Sequence, residues 1–196
     1  MRAIMGRRRI IDPEALLDAA ERVVRREGAV NLTISAVAAE AGVSKATVLY
    51  DFRTKQALIA AVVARRLAAD EARLRACIAE AAADPSVANP ELAGRLRFAA
   101  TQPEEQDLAA ALTLCVAMAS DDAVRGRIRE FIRRDLAAFA PGCAGDPAPL
   151  MAFLALHGYL SLKYFDLYTF PPEVRDVIFA SVAQMARTQR TTCDGQ

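Results

Sequence analysis

The chain has 196 residues and a formal net charge of +1 at pH 7, and 54% of its residues are hydrophobic. This length is sufficient for one or two domains with a buried core. Charged residues interrupt every apolar run, which excludes a membrane span. The N-terminus lacks the apolar region of a secretory signal, because three arginines lead directly into a polar helix start. We therefore expect a cytoplasmic protein without a membrane partner.

Alanine is the dominant residue, and no stretch shows the alternating apolar pattern of a strand. Because alanine has the highest helix propensity, we predict an all-α protein of about nine helices. The first helix begins at Asp12-Pro13-Glu14, where Asp12 is the N-cap and Pro13 occupies the first helical position. Residues rich in proline and glycine at 141–147 form the clearest loop.

Charge is unevenly distributed along the chain. Residues 1–66 contain 12 Lys or Arg and 7 Asp or Glu, a net charge of +5, whereas residues 67–196 contain 13 and 17, a net charge of −4. A basic first third followed by an acidic remainder is typical of a protein that binds DNA through one end. Surface charge also segregates without function, so the asymmetry supports this interpretation without proving it.

The most informative pattern lies in residues 32–58, LTISAVAAEAGVSKATVLYDFRTKQAL. Thr33 precedes apolar residues spaced three and four apart, Gly42 ends that short helix, and Ser44 is the N-cap of the next helix. Two short helices joined by a glycine-containing turn of about four residues form a helix-turn-helix, whose second helix enters the major groove of DNA. The alternative is a helical corner in another kind of bundle.

This segment resembles the DNA-binding motif of the TetR/AcrR family of bacterial transcriptional regulators. The chain departs from the family pattern at Ala46, where glycine is usual, and at Leu49 and Asp51, where aromatic residues or histidine are common. The resemblance implies a three-helix DNA-binding head followed by a larger helical bundle that binds a ligand and dimerises. The residues that match the pattern are Ala41, Gly42, Val43, Ser44, Phe52, Lys55 and Leu58.

The predicted DNA contacts follow from the motif and the resemblance together. Lys45 and Thr47 lie early in the recognition helix, where side chains face bases or nearby phosphates, and Tyr50 is placed to contact the sugar-phosphate backbone. Phosphate contacts are expected at helix starts and in the loop after the recognition helix. Their candidates are Thr33, Ser44, Arg53 and Lys55. An N-terminal arm with Arg7, Arg8 and Arg9 either follows the DNA backbone or is a solubilising tail, and the sequence leaves both readings open.

A long amphipathic helix is predicted from Gln56 to about Ala83, before Asp84-Pro85. In the family it resembles, this element connects the DNA-binding head to the ligand-binding body, so that a small tilt moves the recognition helix. We place the domain boundary at its start. Residues 1–54 form the arm and the helix-turn-helix domain, and residues 55–196 form the effector-binding and dimerisation domain.

Two final helices are predicted at about 149–168 and 172–190. The first is apolar nearly all round and therefore needs to be covered on two sides. The body covers one side, and a second copy of the chain is expected to cover the other in a four-helix seam with twofold symmetry. The resemblance implies the same homodimer. The predicted interface residues are Leu156, Tyr159, Leu160, Val174, Ile178, Val182 and Met185.

The expected partners are double-stranded DNA, a second copy of the chain and a small hydrophobic effector. The effector is expected because TetR-like bodies hold a small-molecule pocket. Each candidate also fits an ordinary core, and a lone histidine is more often a hydrogen-bonded interior residue than a ligand contact. The candidates are Phe98, Cys115, Met118, Phe131, Met151, His157 and Tyr164. The sequence contains no cluster with metal-ligand spacing, and we expect no cofactor.

The sequence therefore predicts a homodimeric repressor that a small-molecule effector releases from a near-palindromic operator. An enzyme is disfavoured, because the chain lacks a paired nucleophile and base, a glycine-rich phosphate loop and a second histidine. The alternative is an all-helical interaction or adaptor protein that has lost specific DNA binding. The widely separated cysteines indicate free thiols rather than a disulfide framework, with a redox-sensing role for one of them as the other reading. They are Cys77, Cys115, Cys143 and Cys193.

Overall fold

The computed structural model describes residues 12–87, 89–101, 105–139 and 147–187. Within these ranges the chain forms nine α-helices, one short 3-10 helix and no strand, which confirms the predicted all-α fold. No helix in the described ranges combines the length and the apolar character needed to cross a membrane. The helices are α1 (Pro13–Glu27), α2 (Ile34–Glu40), α3 (Lys45–Asp51), α4 (Lys55–Ala82), α5 (Pro90–Ala100), α6 (Glu105–Ser120), α7 (Asp122–Phe139), α8 (Ala148–Tyr164) and α9 (Pro172–Arg187).

Short polar side chains begin several of these helices by accepting hydrogen bonds from otherwise unsatisfied backbone amides. Asp12 Oδ1 accepts from the amide of Glu14 at 3.0 Å at the start of α1. Thr54 Oγ1 accepts from the amide of Ala57 at 3.0 Å at the start of α4. Asn89 does the same for α5. These caps explain why the predicted helix starts lie within a residue of the observed ones.

The first hydrophobic core joins α1, α2, α3 and the first two turns of α4. Val23 and Val37 are fully buried in it, as is Leu32, which lies between α1 and α2. Ala117 of α6 and Val124 of α7 also belong to this core. The same core continues into α4 through Leu58, Ile59, Val62 and Val63. The start of α4 is therefore packed with the head, so a domain boundary at residue 54 stays a prediction.

The second core joins α5, α8 and α9. Its buried members include Phe153 and Leu156 of α8, Leu92 of α5 and Val182 of α9. Helix α4 packs against α5 beyond the point where it leaves the head. Helix α4 thus belongs to the first core at its start and packs further along against α5, a helix of the second core.

Helix α8 ends four residues earlier than the apolar pattern predicts. Asp166 adopts a left-handed conformation with φ of 51°. The amide of Leu167 donates to the carbonyl of Leu162 at 2.9 Å, and the amide of Asp166 donates to that of Lys163 at 3.1 Å. This is a Schellman motif with aspartate instead of the usual glycine. Aspartate tolerates the left-handed region better than most residues, but it is not a recognisable stop signal in sequence.

Candidate DNA-binding surface and effector cavity

The recognition helix α3 is positioned by a turn that requires a glycine. Gly42 has φ of 66°, a conformation that is unfavourable for residues with a Cβ. The next amide, of Val43, donates to the carbonyl of Ala38 at 2.9 Å and closes the end of α2. Ser44 Oγ then accepts from the amide of Thr47 at 3.1 Å and starts α3. Val48 is fully buried and fixes the inner face of α3 against the head.

The outer face of α3 carries the predicted DNA contacts. Lys45 is exposed, and Tyr50 is 76% exposed. Thr47 is half-buried, and its Oγ1 lies 2.9 Å from Ser44 Oγ, so the two hydroxyls share a hydrogen bond. Leu49 is also exposed. The structure thus brings Ser44, Lys45, Thr47 and Tyr50 together on one short helix and its cap.

The other predicted DNA contacts surround this helix. Thr33 is exposed and its Oγ1 caps α2 by accepting from the amide of Ala36 at 3.1 Å. Arg53 is exposed in the loop after α3, and Lys55 is half-buried at the first position of α4. The arm residues Arg7, Arg8 and Arg9 lie outside the described residues. Two helix starts and one loop therefore present polar groups near the recognition helix.

Ion pairs that the sequence analysis did not identify fix α1 to its neighbours. Glu40, the last residue of α2, accepts from Arg26 at 2.6 Å and from Arg22 at 2.7 Å, both on α1. These hydrogen bonds, that of Arg26 first, lower the pKa of the Glu40 carboxyl. Arg65 of α4 lies within 2.7 Å of the carboxylates of Asp18 and Glu21 on α1. The ion pairs of Arg65 thus connect α4 directly to the head.

A cavity of about 270 Å³ lies between α4, α5, α6, α7 and α8. Most of its wall is apolar, which is typical of a site for a small organic molecule. Four predicted effector contacts line it, namely Phe98, Phe131, His157 and Tyr164. The other lining residues are Val63, Arg66, Leu67, Asp70, Leu74, Arg95, Ala111, Leu114, Ile132, Asp135, Phe153, Leu156, Leu160, Ser161 and Phe165.

The structure places the other three predicted effector contacts away from this cavity. Cys115 is exposed on α6. Met118 packs against the first core, on the side of α6 that faces the head. Met151 is exposed near the start of α8. Each lies on a helix that is apolar on more than one face. The residue spacing therefore does not show which face of the helix meets the cavity.

The charged part of the cavity wall contains two ion pairs. Arg95 donates from Nη1 to Asp135 Oδ1 at 2.5 Å and from Nη2 to Glu91 Oε1 at 2.6 Å. Arg66 donates to both carboxylate oxygens of Asp70, at 2.9 and 3.1 Å. These four charged residues were not predicted as part of a site. Their only sequence signal is the four-residue spacing of opposite charges at 66 and 70 and at 91 and 95, which is also common on solvated helices.

His157 lies beside the Arg95–Asp135 pair. Its Nδ1 is 3.1 Å from the carbonyl oxygen of Phe153, and its ring stacks on the Phe153 ring with centroids 3.9 Å apart. Its Nε2 is 3.7 Å from Asp135 Oδ2. Burial lowers the pKa of His157, and the hydrogen bond to Phe153 and the charge of Asp135 oppose this effect only in part. The histidine is therefore mainly neutral at pH 7.

The predicted interface residues fall into two groups. Leu156, Tyr159 and Val182 are buried inside the chain's own second core, and Leu160 lines the cavity. Ile178 is half-buried and packs against the same core. Val174 and Met185 are exposed on α9. The structure thus places most of these side chains inward. Helix α8 turns the stripe that contains Leu156 and Tyr159 towards the second core and exposes its other apolar stripe.

We group that exposed stripe of α8 with the exposed apolar residues of α9. We call it the α8–α9 face, and define it by the exposed residues Leu150, Leu154, Gly158, Leu162, Val174, Val177, Ser181 and Met185. Its members recur at three- or four-residue intervals on each helix, with two small residues near the middle. Exposed apolar side chains in this number are typical of a surface that another molecule covers.

Two family models match the chain. Residues 16–62 match the model described as bacterial regulatory proteins, tetR family, and residues 91–187 match the tetracyclin repressor-like C-terminal domain. The chain belongs to the TetR family. Proteins of the TetR family are DNA-binding transcriptional regulators rather than enzymes, so the chain is a TetR-family transcriptional regulator. The chain has no match among curated proteins.

Solved structures share the TetR fold with this chain at low identity. A protein of Pseudomonas aeruginosa PAO1, provisionally described as a transcriptional regulator, is 23% identical with a TM-score of 0.64, over 93% of this chain and 96% of that one. The multidrug binding protein EbrR in complex with ethidium is 21% identical with a TM-score of 0.63, over 88% and 96%. EbrR in complex with imidazole is also similar, at 21% identity and a TM-score of 0.60 over 89% and 90%.

Proposed function

We propose that this TetR-family regulator is a homodimeric repressor that a small molecule releases from a near-palindromic operator. The observation that carries the proposal is the outer face of α3, where Lys45, Thr47 and Tyr50 project from a helix whose inner side is fixed by buried Val48. A rigid short helix with exposed polar residues near its N-terminus can enter the major groove and contact base edges.

Dimerisation is supported by where the exposed apolar residues lie. Among the described residues, nine of the eleven exposed large hydrophobic side chains lie between Leu150 and Met185. Val177 is 66% exposed and Leu167 is 70% exposed. Burying such side chains against a second copy removes apolar area from water, and a twofold axis lets the same face pair with itself. Two heads held at a fixed separation then read two half-sites.

Release by an effector is supported by the position of α4 between the cavity and the head. Val63, Leu67 and Leu74 of α4 form part of the cavity wall. Arg65, between two of these residues, binds carboxylates of α1. A ligand that displaces α4 would thus displace α1 and change the spacing of the two recognition helices. EbrR, which has the same fold, is a multidrug binding protein whose structures contain ethidium and imidazole.

The deciding experiment is selection of bound fragments from genomic DNA by the purified full-length protein. We expect a short near-palindrome, whose affinity falls steeply as salt concentration rises because bound phosphates release counterions. Lys45→Ala and Tyr50→Ala should each weaken operator binding about 5- to 100-fold, in keeping with a loss of about 1–3 kcal/mol per contact. Arg129→Gln is the matched control, since it removes one exposed charge on α7, away from α3.

Unchanged affinity in both α3 variants would reject the assignment of this surface. Binding without sequence preference would favour the alternative, an all-helical adaptor that has lost specific DNA recognition. Repression itself is tested by placing the selected operator upstream of a reporter. Loss of the regulator should raise expression if it is a repressor and lower expression if it is an activator.

A further inference from the structure

The cavity wall contains two hydrogen-bond acceptors side by side, on different helices. Nδ1 of His157 points at the carbonyl oxygen of Phe153, 3.1 Å away. Because a carbonyl only accepts, Nδ1 carries the proton in this contact. In the neutral ring Nε2 then has a lone pair and no hydrogen. This lone pair lies 3.7 Å from Asp135 Oδ2, which is also an acceptor.

The contact between these two atoms is therefore not a hydrogen bond in the neutral protein. It is too long, and neither atom supplies a hydrogen. The other oxygen of the same carboxylate, Oδ1, accepts from Arg95. A single donor group about 2.9 Å from both Nε2 and Oδ2 would satisfy the two acceptors together. Both residues line the cavity, so a ligand can bring such a donor to them.

The charges at this end of the cavity favour a cation as that donor. Arg95 supplies one positive charge and pairs with two carboxylates, those of Asp135 and Glu91. The group of three therefore has a net charge of −1. The side chains of Arg95 and Asp135 are about nine-tenths buried, so water screens this charge poorly. On α4, Asp70 pairs with Arg66 and also lies 3.5 Å from Arg73. Arg73 does not line the cavity, and its side chain is 37% exposed, so water screens its charge more than that of Asp135.

We propose that the effector is a hydrophobic amine, which places its protonated nitrogen between His157 Nε2 and Asp135 Oδ2 and its apolar part against the aromatic wall. The inference rests on the proposed function of the cavity as the effector site. An ammonium group supplies both the hydrogens and the positive charge that this end of the cavity lacks. Carboxylates and other anions are excluded, because they would face two acceptors and a negative carboxylate.

The test uses three naphthalene probes that share ring and approximate size but differ in the polar group. They are 1-naphthylmethylamine, which is protonated at neutral pH, the uncharged 1-ethylnaphthalene, and 1-naphthoate. Binding to the full-length protein at pH 7.5 is followed by naphthalene fluorescence. We expect the amine to bind about ten- to a hundredfold more tightly than the hydrocarbon, as charge-assisted hydrogen bonds to buried groups imply, and the carboxylate to bind more weakly than either.

Two variants test whether the preference for the amine over the hydrocarbon arises at His157 Nε2 and Asp135 Oδ2. His157→Phe keeps an aromatic ring to stack on Phe153 but removes Nε2. Asp135→Asn keeps the shape and removes the negative charge. Both should reduce the amine's advantage at least fivefold, and His157→Phe should leave hydrocarbon affinity within about twofold. Glu91→Gln removes one charge from the same ion-pair group at a residue that is 34% exposed and does not line the cavity, so it should reduce the amine's advantage less than Asp135→Asn does.

The outcomes separate this proposal from the function on which it rests. If hydrocarbon and amine bind equally to the wild-type protein, the amine proposal is overturned and the effector cavity stands. If the amine's advantage survives in His157→Phe, the acceptor pair is not its binding site. If no probe binds, the proposed effector cavity and the amine proposal both fall. Should Asp135→Asn fail to fold, the wild-type probe series and His157→Phe still decide.

Discussion

A Cβ placed on Gly94 of α5 would lie 2.5 Å from the Cα of Ile78 in α4. The backbone nitrogen and Cγ1 of Ile78 would both be 2.6 Å away. Real Cβ atoms do not approach other atoms this closely, so glycine is required for the two helix backbones to pack together here. This contact fixes the outer half of α4, the helix that also contributes Leu67 and Leu74 to the cavity wall.

Gly94→Ala should therefore destabilise the protein. The added methyl group meets backbone atoms, which cannot rotate away, so we expect a loss near the upper end of the usual overpacking range, about 3 kcal/mol. Urea unfolding measures the change. Gly126→Ala is the control, because nothing lies within 4 Å of the corresponding Cβ in α7. Gly126→Ala should stabilise the protein by about 0.5–1 kcal/mol, because alanine lowers the conformational entropy of the unfolded chain. Equal changes in the free energy of unfolding for the two variants would contradict the close approach of α4 and α5 at Gly94.

Arg65 connects the cavity-lining helix to the head. Its guanidinium lies 2.7 Å from Asp18 and 2.7 Å from Glu21, and the side chain is only 23% exposed. Arg65→Gln should lower the free energy of unfolding by about 1 kcal/mol, since the contacts are charge-assisted but partly screened. It should also reduce the change in operator affinity that an effector causes.

Arg75→Gln is the matched control for Arg65→Gln. Arg75 lies on the same helix but pairs with Glu71 at 3.6 Å and is 68% exposed, so its removal should cost less than about 0.5 kcal/mol. Operator binding with and without a bound probe is measured for both variants. An Arg65→Gln protein with a wild-type response would show that the link from α4 to α1 does not carry the signal.

The head was the part most readily predicted from sequence, because its signals are local. The caps Thr33 and Ser44 and the turn glycine Gly42 each act on backbone groups within a few residues. Their effect therefore does not depend on how distant helices pack. The same holds for Asp12 and Pro13 at the start of α1.

The cavity and the exposed face of α8 were less predictable for the opposite reason. Helix α8 is apolar nearly all round, so its periodicity does not distinguish the stripe with Leu156 and Tyr159, which is buried, from the stripe with Leu154, which is exposed. Only the packing of α5, α7 and α9 decides the rotation. The Arg95–Asp135 pair joins residues 40 positions apart, and no local pattern indicates such a contact.

The α8–α9 face leads to a prediction about assembly. Val177→Glu places a charge in the middle of this face, at a side chain that makes few contacts within the chain. We expect a folded monomer by sedimentation, because burying an unpaired carboxylate opposite its own symmetry copy is costly. Leu49→Glu is the control, since Leu49 is also an exposed hydrophobic but lies on α3. A dimer that persists in Val177→Glu would require a different interface.

The affinity for 1-naphthylmethylamine should depend on pH through His157. Burial holds the pKa of His157 below its usual value of about 6.5. Above that value the ring is neutral and Nε2 accepts from the amine. Below the lowered pKa the ring is protonated, so Nε2 no longer accepts a hydrogen bond and its positive charge repels the ammonium group. Affinity should thus be constant above about pH 6.5 and fall as the pH drops through the lowered pKa, by up to tenfold per unit.

Several other charged or titratable groups surround His157, so the experiment needs a variant that retains them. They are Asp135 on α7, Arg95 and Glu91 on α5, Arg66 and Asp70 on α4, and Tyr164 on α8. His157→Phe keeps all of them and should show no decrease of this kind over the pH range in which His157 of the wild type is protonated. Binding of 1-ethylnaphthalene should be nearly independent of pH in both proteins. Amine affinity that stays constant or rises on acidification of the wild type would mean that protons and the amine do not compete for Nε2.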